Sequence, residues 1–190
     1  MLFRSRTYNS QNADPQPYVE IDLETVQSFN QIVLYPRTDA QTANGGTESP
    51  NFPTDFNIQV KQNGTWVDVK TVTDNPNPQG QPQTFSFETQ KSQYVRVIAS
   101  KLGIPTNDEF NGTRTVYRMQ LAEFEVYNEA RTVNYALQST ITASNSDGAL
   151  PMWGLDNLKD GKLISEGLNQ PNSGVKGYTS AALDSDADRN

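Results

Sequence analysis

Between residues 18 and 127, short apolar runs recur, separated by stretches rich in Asn, Gln, Gly and Pro. Residues 18–23 (YVEIDL) alternate apolar and polar side chains, which predicts a strand. Residues 29–35 (FNQIVLY), 56–61 (FNIQVK) and 66–72 (WVDVKTV) predict three more, and 84–87, 94–99 (YVRVIA) and 119–127 complete the set. Asn63-Gly64 sits between two of these runs and predicts a tight hairpin. Helical signal is weak; a short turn over 151–158 could turn Trp153 and Leu158 inward. Many short strands with Gly, Pro and Asn between them predict an all-β protein, a sandwich or jelly roll.

The connections at 36–53, 73–82 and 101–116 are long and almost free of apolar residues in the first case. Loops of this size carry binding function or are simply flexible. Composition then narrows the chemistry. The chain has 190 residues and a formal charge of −7, which disfavours nucleic acid and anionic lipid as partners. It has neither cysteine nor histidine, so the commonest general base and the thiolate and imidazole ligands of zinc are missing. No apolar stretch approaches transmembrane length, and MLFRSR lacks the core and cleavage site of a signal peptide. Glu123 and Glu125 share one strand face, as do Glu20 and Asp22, but parity alone does not make a catalytic pair.

Several motifs together resemble the coagulation factor 5/8 type C, or discoidin-like, family. Its bacterial members include family 32-type carbohydrate-binding modules. The opening half of the family pattern resembles Asn134-Tyr135-Ala136, Thr142-Ala143-Ser144, Leu158-Lys159-Asp160-Gly161 and Tyr178-Thr179-Ser180. The closing half resembles YVEIDL at 18–23, IVLYPR at 32–37, FPTDFNIQV at 52–60, Gly64-Thr65-Trp66, YVRV at 94–97 and LAEFEVY at 121–127. The two halves stand in rotated order. The resemblance implies a galactose-binding-like β-sandwich. Residues 8–130 would be its main part, and 134–190 either completes that sandwich or begins a truncated second copy. Ala136, Leu137, Ile141, Trp153, Leu155 and Leu158 are too few for a separate core but enough to finish one.

The resemblance also implies sites. In similar modules the Asp-Gly loop and the Ala-Glu step of the last strand share a structural calcium ion, which here gives Asp160, Ala122 and Glu123, with Ser165 within reach of the same loop. The alternative is that Asp160 caps a turn and Glu123 is solvated. The ligand of such modules lies at the loop end of the sandwich. Arg37, Asn107 and Asp108 are the candidate polar contacts and Phe110, Trp153 and Tyr178 the candidate platforms. For Trp153 a core position, and for Arg37 an internal salt bridge, are equally open readings.

The expected function is a non-catalytic, monomeric carbohydrate-binding module of a secreted or cell-surface protein, attached to a glycoside hydrolase. Its ligand would be a glycan containing galactose or N-acetylhexosamine. A discoidin-like adhesion module is one alternative, and a fragment of a glycoside hydrolase is another. A lipid-binding version would need apolar spikes ringed by basic residues, and 36–53 and 73–82 offer only Phe52.

Overall fold

The computed structural model describes residues 16–38, 49–107, 115–146, 153–163 and 177–181. Among the described residues nine strands run in chain order: β1 (Tyr18–Pro36), β2 (Asp55–Gln62), β3 (Thr65–Val72), β4 (Gln83–Lys101), β5 (Thr106–Asn107), β6 (Thr115–Val116), β7 (Gln120–Tyr127), β8 (Thr140–Ala143) and β9 (Tyr178–Thr179). The 3₁₀ turns Tyr135–Gln138 and Leu155–Lys159 flank β8. Among the described residues the fold is all-β, as the motifs imply.

The two predicted strands at 18–23 and 29–35 are one continuous strand, and so are those at 84–87 and 94–99. β1 and β4 pair antiparallel along their whole length, with register shifts between Asp22 and Gln27 and between Phe29 and Gln31. At the first shift Glu24 takes a left-handed φ of 65°, and its N–H is held by the Asp22 carboxylate at 2.9 Å. The second shift changes which parity faces inward. Val19, Ile21, Leu23 and Phe29 point to the core before it, Ile32 and Leu34 after it. A bulge re-aims every later side chain in this way because the strand period is two.

These bent strands pass through both layers. The first half of β1 and the second half of β4 form one layer, in the order β8-β1-β4-β2-β3. The second half of β1 and the first half of β4 form the other, with β7 and β9 beyond them. Strands that switch layers at bulges make the corners of such sandwiches. Between the layers lies one apolar cluster containing Ile58, Val60, Val97, Leu121, Phe124 and Val126 among others. Phe56 of β2 meets Phe85 of the opposite layer edge-to-face, centroids 5.1 Å apart. The β2–β3 hairpin closes through Asn63 and Gly64, at φ 50° and 81°, as the Asn-Gly pair predicts.

Residues beyond 134 join the same sheet and core. β8 lies against β1, with Ile21 opposite Ile141, and β9 lies against β7, with Leu121 opposite Tyr178. Ala136, Ile141, Leu158 and Tyr178 belong to the core cluster. Both 3₁₀ turns pack on β7, which is buried everywhere except its last residue. Gly177 makes that approach possible. Its φ is 111°, and a Cβ there would stand 2.0 Å from the Leu121 carbonyl oxygen.

Candidate functional site

Two polar clusters lie where β7 meets the segment beyond 134. The first sits at the end of β1. Pro36 ends the strand, and Arg37 follows it, only 5% exposed. Its Nη1 donates to Gln120 Oε1 at 2.9 Å, and its guanidinium lies 4.7 Å from the centroid of Trp153. Gln120 Oε1 also accepts from Asn51 Nδ2 at 2.7 Å, while Gln120 Nε2 donates to Thr179 Oγ1 at 3.0 Å. Asn51 Nδ2 reaches Thr106 Oγ1 as well, at 3.0 Å. Hydrogen bonds to a charged group contribute about 1.5–3 kcal/mol each, so the network holds Arg37 in one orientation. Asn51 stands at φ 61°, is fully buried, and its Oδ1 has no hydrogen-bond partner among the described residues.

The candidate ligand residues therefore fall into three groups. Arg37 and Trp153 are brought together, both buried, with the ring stacked under the guanidinium. Tyr178 is not a platform: its ring is fully buried in the core and its hydroxyl donates to the Asn145 carbonyl at 2.8 Å. The pairing of β9 with β7 turns it inward, and desolvation pushes its phenol well above the usual range. Asn107 lies on β5 opposite Thr115. Asp108 and Phe110 lie outside the described residues. Asn51, Gln120 and Thr179 were not anticipated as a network. Nothing local marks them, since Asn51 and Gln120 are 69 positions apart.

The second cluster is centred on Glu123, fully buried on β7. Its Oε1 accepts from the Gly161 N–H at 3.1 Å, and its Oε2 has no hydrogen-bond partner among the described residues. Burial pushes its carboxyl up to about 8, with the neighbouring Asp160 and Glu125 charges adding and the Gly161 N–H opposing. Asp160 ends the second 3₁₀ turn, and its Oδ1 accepts from the Lys162 N–H at 2.8 Å. Asp160 therefore caps its turn, whatever else it does. Ala122 is buried beside Glu123. Ser165 lies outside the described residues. Two residues on, Glu125 accepts from the Tyr127 hydroxyl at 3.0 Å, and burial together with Glu125 raises Tyr35 to about 12.

A cation would suit the orphaned Oε2, because a buried carboxylate without a partner is costly and a metal ion offsets that cost. The donors available are hard oxygens, which fits calcium. Among the described residues no group of three or more histidine, cysteine, aspartate or glutamate side chains gathers. Among the described residues no helix is long and apolar enough to cross a membrane.

An F5/F8 type C family model, described as a NedA-like, galactose-binding domain, matches residues 4–97. Among solved structures, chitosan-binding module 2 of a Paenibacillus sp. IK-5 chitosanase/glucanase, in complex with chitotriose, is 21% identical; the match covers 58% of this chain and 69% of that one at a TM-score of 0.38. The family 32 module of Clostridium perfringens NanJ, in complex with galactose, is 19% identical over 48% of this chain and 60% of that one, at a TM-score of 0.35. A third module from a Clostridium perfringens family 31 glycoside hydrolase is 22% identical over 63% and 71%, at 0.41. No curated protein matches the chain. Residues 4–97, about half of the chain, are thus similar to F5/F8 type C, galactose-binding-like domains.

Proposed function

We propose that this domain binds a glycan containing galactose or N-acetylhexosamine at the end of the sandwich marked by Arg37, without turning it over. The observation that supports this most is the family match over residues 4–97, which contains Arg37, together with the orientation that Gln120 and Trp153 impose on that guanidinium. Planar donors held in place suit pairs of sugar hydroxyls. Because Arg37 is only 5% exposed, it offers an edge, and the remaining contacts fall to Asn107, Asp108 and Phe110. A contact this limited gives dissociation constants on the order of 0.1–1 mM for simple sugars. Calcium at Glu123 and the Asp160-Gly161 turn would neutralise the buried carboxylate and tie β7 to that turn. We read 8–130 and 134–190 as one monomeric sandwich in rotated order, a reading supported by the β1–β8 and β7–β9 pairings. The parent protein is extracellular or surface-bound on this reading, with a glycoside hydrolase attached.

A glycan array followed by calorimetry tests the binding claim. Arg37→Ala should abolish binding of the simple sugars while the protein still unfolds cooperatively. Binding that survives Arg37→Ala, or no binding to any galactose- or N-acetylhexosamine-containing glycan, overturns it. Turnover of a glycoside by the purified chain overturns the non-catalytic reading.

A further inference from the structure

The two outer faces of the sandwich are treated differently. That of the β7 layer is covered, with Val33 at 1%, Glu123 at 0% and Glu125 at 8% exposure. On the β8-β1-β4-β2-β3 layer, Tyr18, Glu20, Gln59, Lys61, Tyr94 and Arg96 are all partly exposed. Pleat parity puts them on the side opposite Val19, Ile21, Val95, Val97, Ile58 and Val60, which line the core. The register aligns them into rows that cross the strands. Asp22 pairs with Tyr94, and Lys61 pairs with Trp66. In the next row Glu20 pairs with Arg96, Arg96 with Gln59, and Gln59 with Asp68.

We propose that this outer face is a second carbohydrate-binding surface, one that takes an extended, uncharged, β-linked glycan. None of its residues is shared with the cluster around Arg37. Three partly exposed aromatic rings stand on it, and the two cations among them are stacked. Arg96 lies 4.3 Å from the Trp66 centroid and 5.3 Å from that of Tyr18. Lys61 lies 5.1 Å from Tyr94 and 5.5 Å from Trp66. Arg96 Nε donates to Gln59 Oε1 at 2.7 Å, and Gln59 Nε2 to Asp68 Oδ1 at 2.6 Å. Such contacts stabilise a sheet by themselves, by about 0.2–1 kcal/mol per cross-strand pair. They also fix the side chains in advance, which lowers the ordering cost of binding.

The chemistry selects the occupant. Pyranose rings joined through equatorial bonds present flat C–H faces for aromatic rings and hydroxyl edges for carboxylates, amides and guanidinium groups, and this face supplies both. Neighbouring strands stand about 4.8 Å apart, so a row from β1 to β3 is long enough for several sugar rings in line. Charge excludes a polyanion: the three carboxylates of Glu20, Asp22 and Asp68 outnumber the two cations, Lys61 and Arg96, in a chain of net charge −7. Nothing positive is left over for uronates or phosphates.

Trp66 is one of two tryptophans and the other, Trp153, is 2% exposed, so a neutral quencher such as acrylamide reaches Trp66 selectively. The full chain is titrated with cellohexaose and N-acetylchitohexaose, with hexagalacturonate as the charged control. Neutral hexamers should shield the quenchable fluorescence saturably and bind more tightly than the corresponding dimers. Tyr94→Ala should weaken this by about tenfold, the size of one stacking anchor. Trp66→Phe should remove the quenchable signal, and Arg37→Ala should leave unchanged the shielding of Trp66 by cellohexaose, which contains neither galactose nor N-acetylhexosamine. The proposal is overturned if neither neutral hexamer shields Trp66, if hexagalacturonate binds best, or if Arg37→Ala abolishes hexamer binding while Tyr94→Ala does not. The last outcome would leave the Arg37 reading standing; loss of simple-sugar binding alone would do the reverse.

Discussion

Raising the pH in the presence of a chelator should destabilise this domain, and Glu123 should be the reason. Its carboxyl is held at about 8 in the folded state against an ordinary 4.5. The folded chain therefore keeps a proton that the unfolded chain has released. A group raised in this way contributes its full stability below about pH 4.5 and loses it as pH climbs through 8. The difference corresponds to on the order of 5 kcal/mol between those limits. Net stabilities are only about 5–15 kcal/mol, so the fall would be a large fraction of the whole. The window holds few other groups, because the chain has no histidine or cysteine and only the α-amino group ordinarily titrates there. Urea unfolding at pH 5, 6, 7, 8 and 9 with chelator measures the slope. Glu123→Gln keeps the shape and the Gly161 N–H acceptor, and should flatten the curve above pH 6. Millimolar calcium should flatten it in the wild type as well, since an ion that binds only the folded, ionised state stabilises it by linkage. Wild-type stability that stays level from pH 5 to 9, or a slope that Glu123→Gln leaves untouched, refutes the reasoning. A slope that calcium does not change would refute the metal at this position and keep the burial argument.

Two further outcomes follow from the packing of residues beyond 134. Gly177→Ala should cost at least about 3 kcal/mol in urea unfolding, because the new Cβ would stand 2.0 Å from the Leu121 carbonyl oxygen at a φ of 111° that side chains rarely adopt; a loss under 1 kcal/mol would show that β9 does not approach β7 this closely. Light-scattering chromatography should give a monomer, and limited proteolysis should spare the chain on both sides of 128–133; a dimer, or rapid loss of everything after Ala130 with the rest intact, would mean that the segment does not complete the sandwich within one chain.

Local rules made some of this fold legible. The Asn63-Gly64 hairpin needs only two residues with positive φ, and it formed where they stand. The continuity of β1 and β4 was not legible, because Glu24, Thr25 and Val26 break the alternation and are exposed. They remain in a strand because β1 bulges there while β4 pairs with it on both sides, which is tertiary information. Tyr178 illustrates the same limit at the site. A Tyr-Thr-Ser run reads alike whether its ring faces solvent or core, and pairing with Leu121 decides the matter. Glu123 was legible through its neighbours in LAEFEVY, whereas the Gln120–Asn51 contact spans too much chain for any local pattern to carry it.

Both polar clusters are divided between the two parts of the chain. Arg37, Gln120 and Glu123 come from before residue 128, while Trp153, Gly161 and Thr179 come from after 133. Neither cluster is complete until the described residues beyond 134 have docked, and the apolar side chains that dock them, Ile141, Leu158 and Tyr178, enter the same core as β1 and β7. The connection is short: after Tyr127, the chain turns with the Arg131 N–H held by the Asn128 carbonyl at 3.1 Å, and Asn134 then caps the first 3₁₀ turn. A short connection gives the two parts a high effective concentration for each other. Docking therefore need not be tight on its own account to be complete. The consequence is that orientation of Arg37 and burial of Glu123 are outcomes of folding, not of ligand arrival. Any change that loosens 134–181, including ionisation of Glu123 against the Gly161 turn, acts on the Arg37 cluster through the same piece of chain.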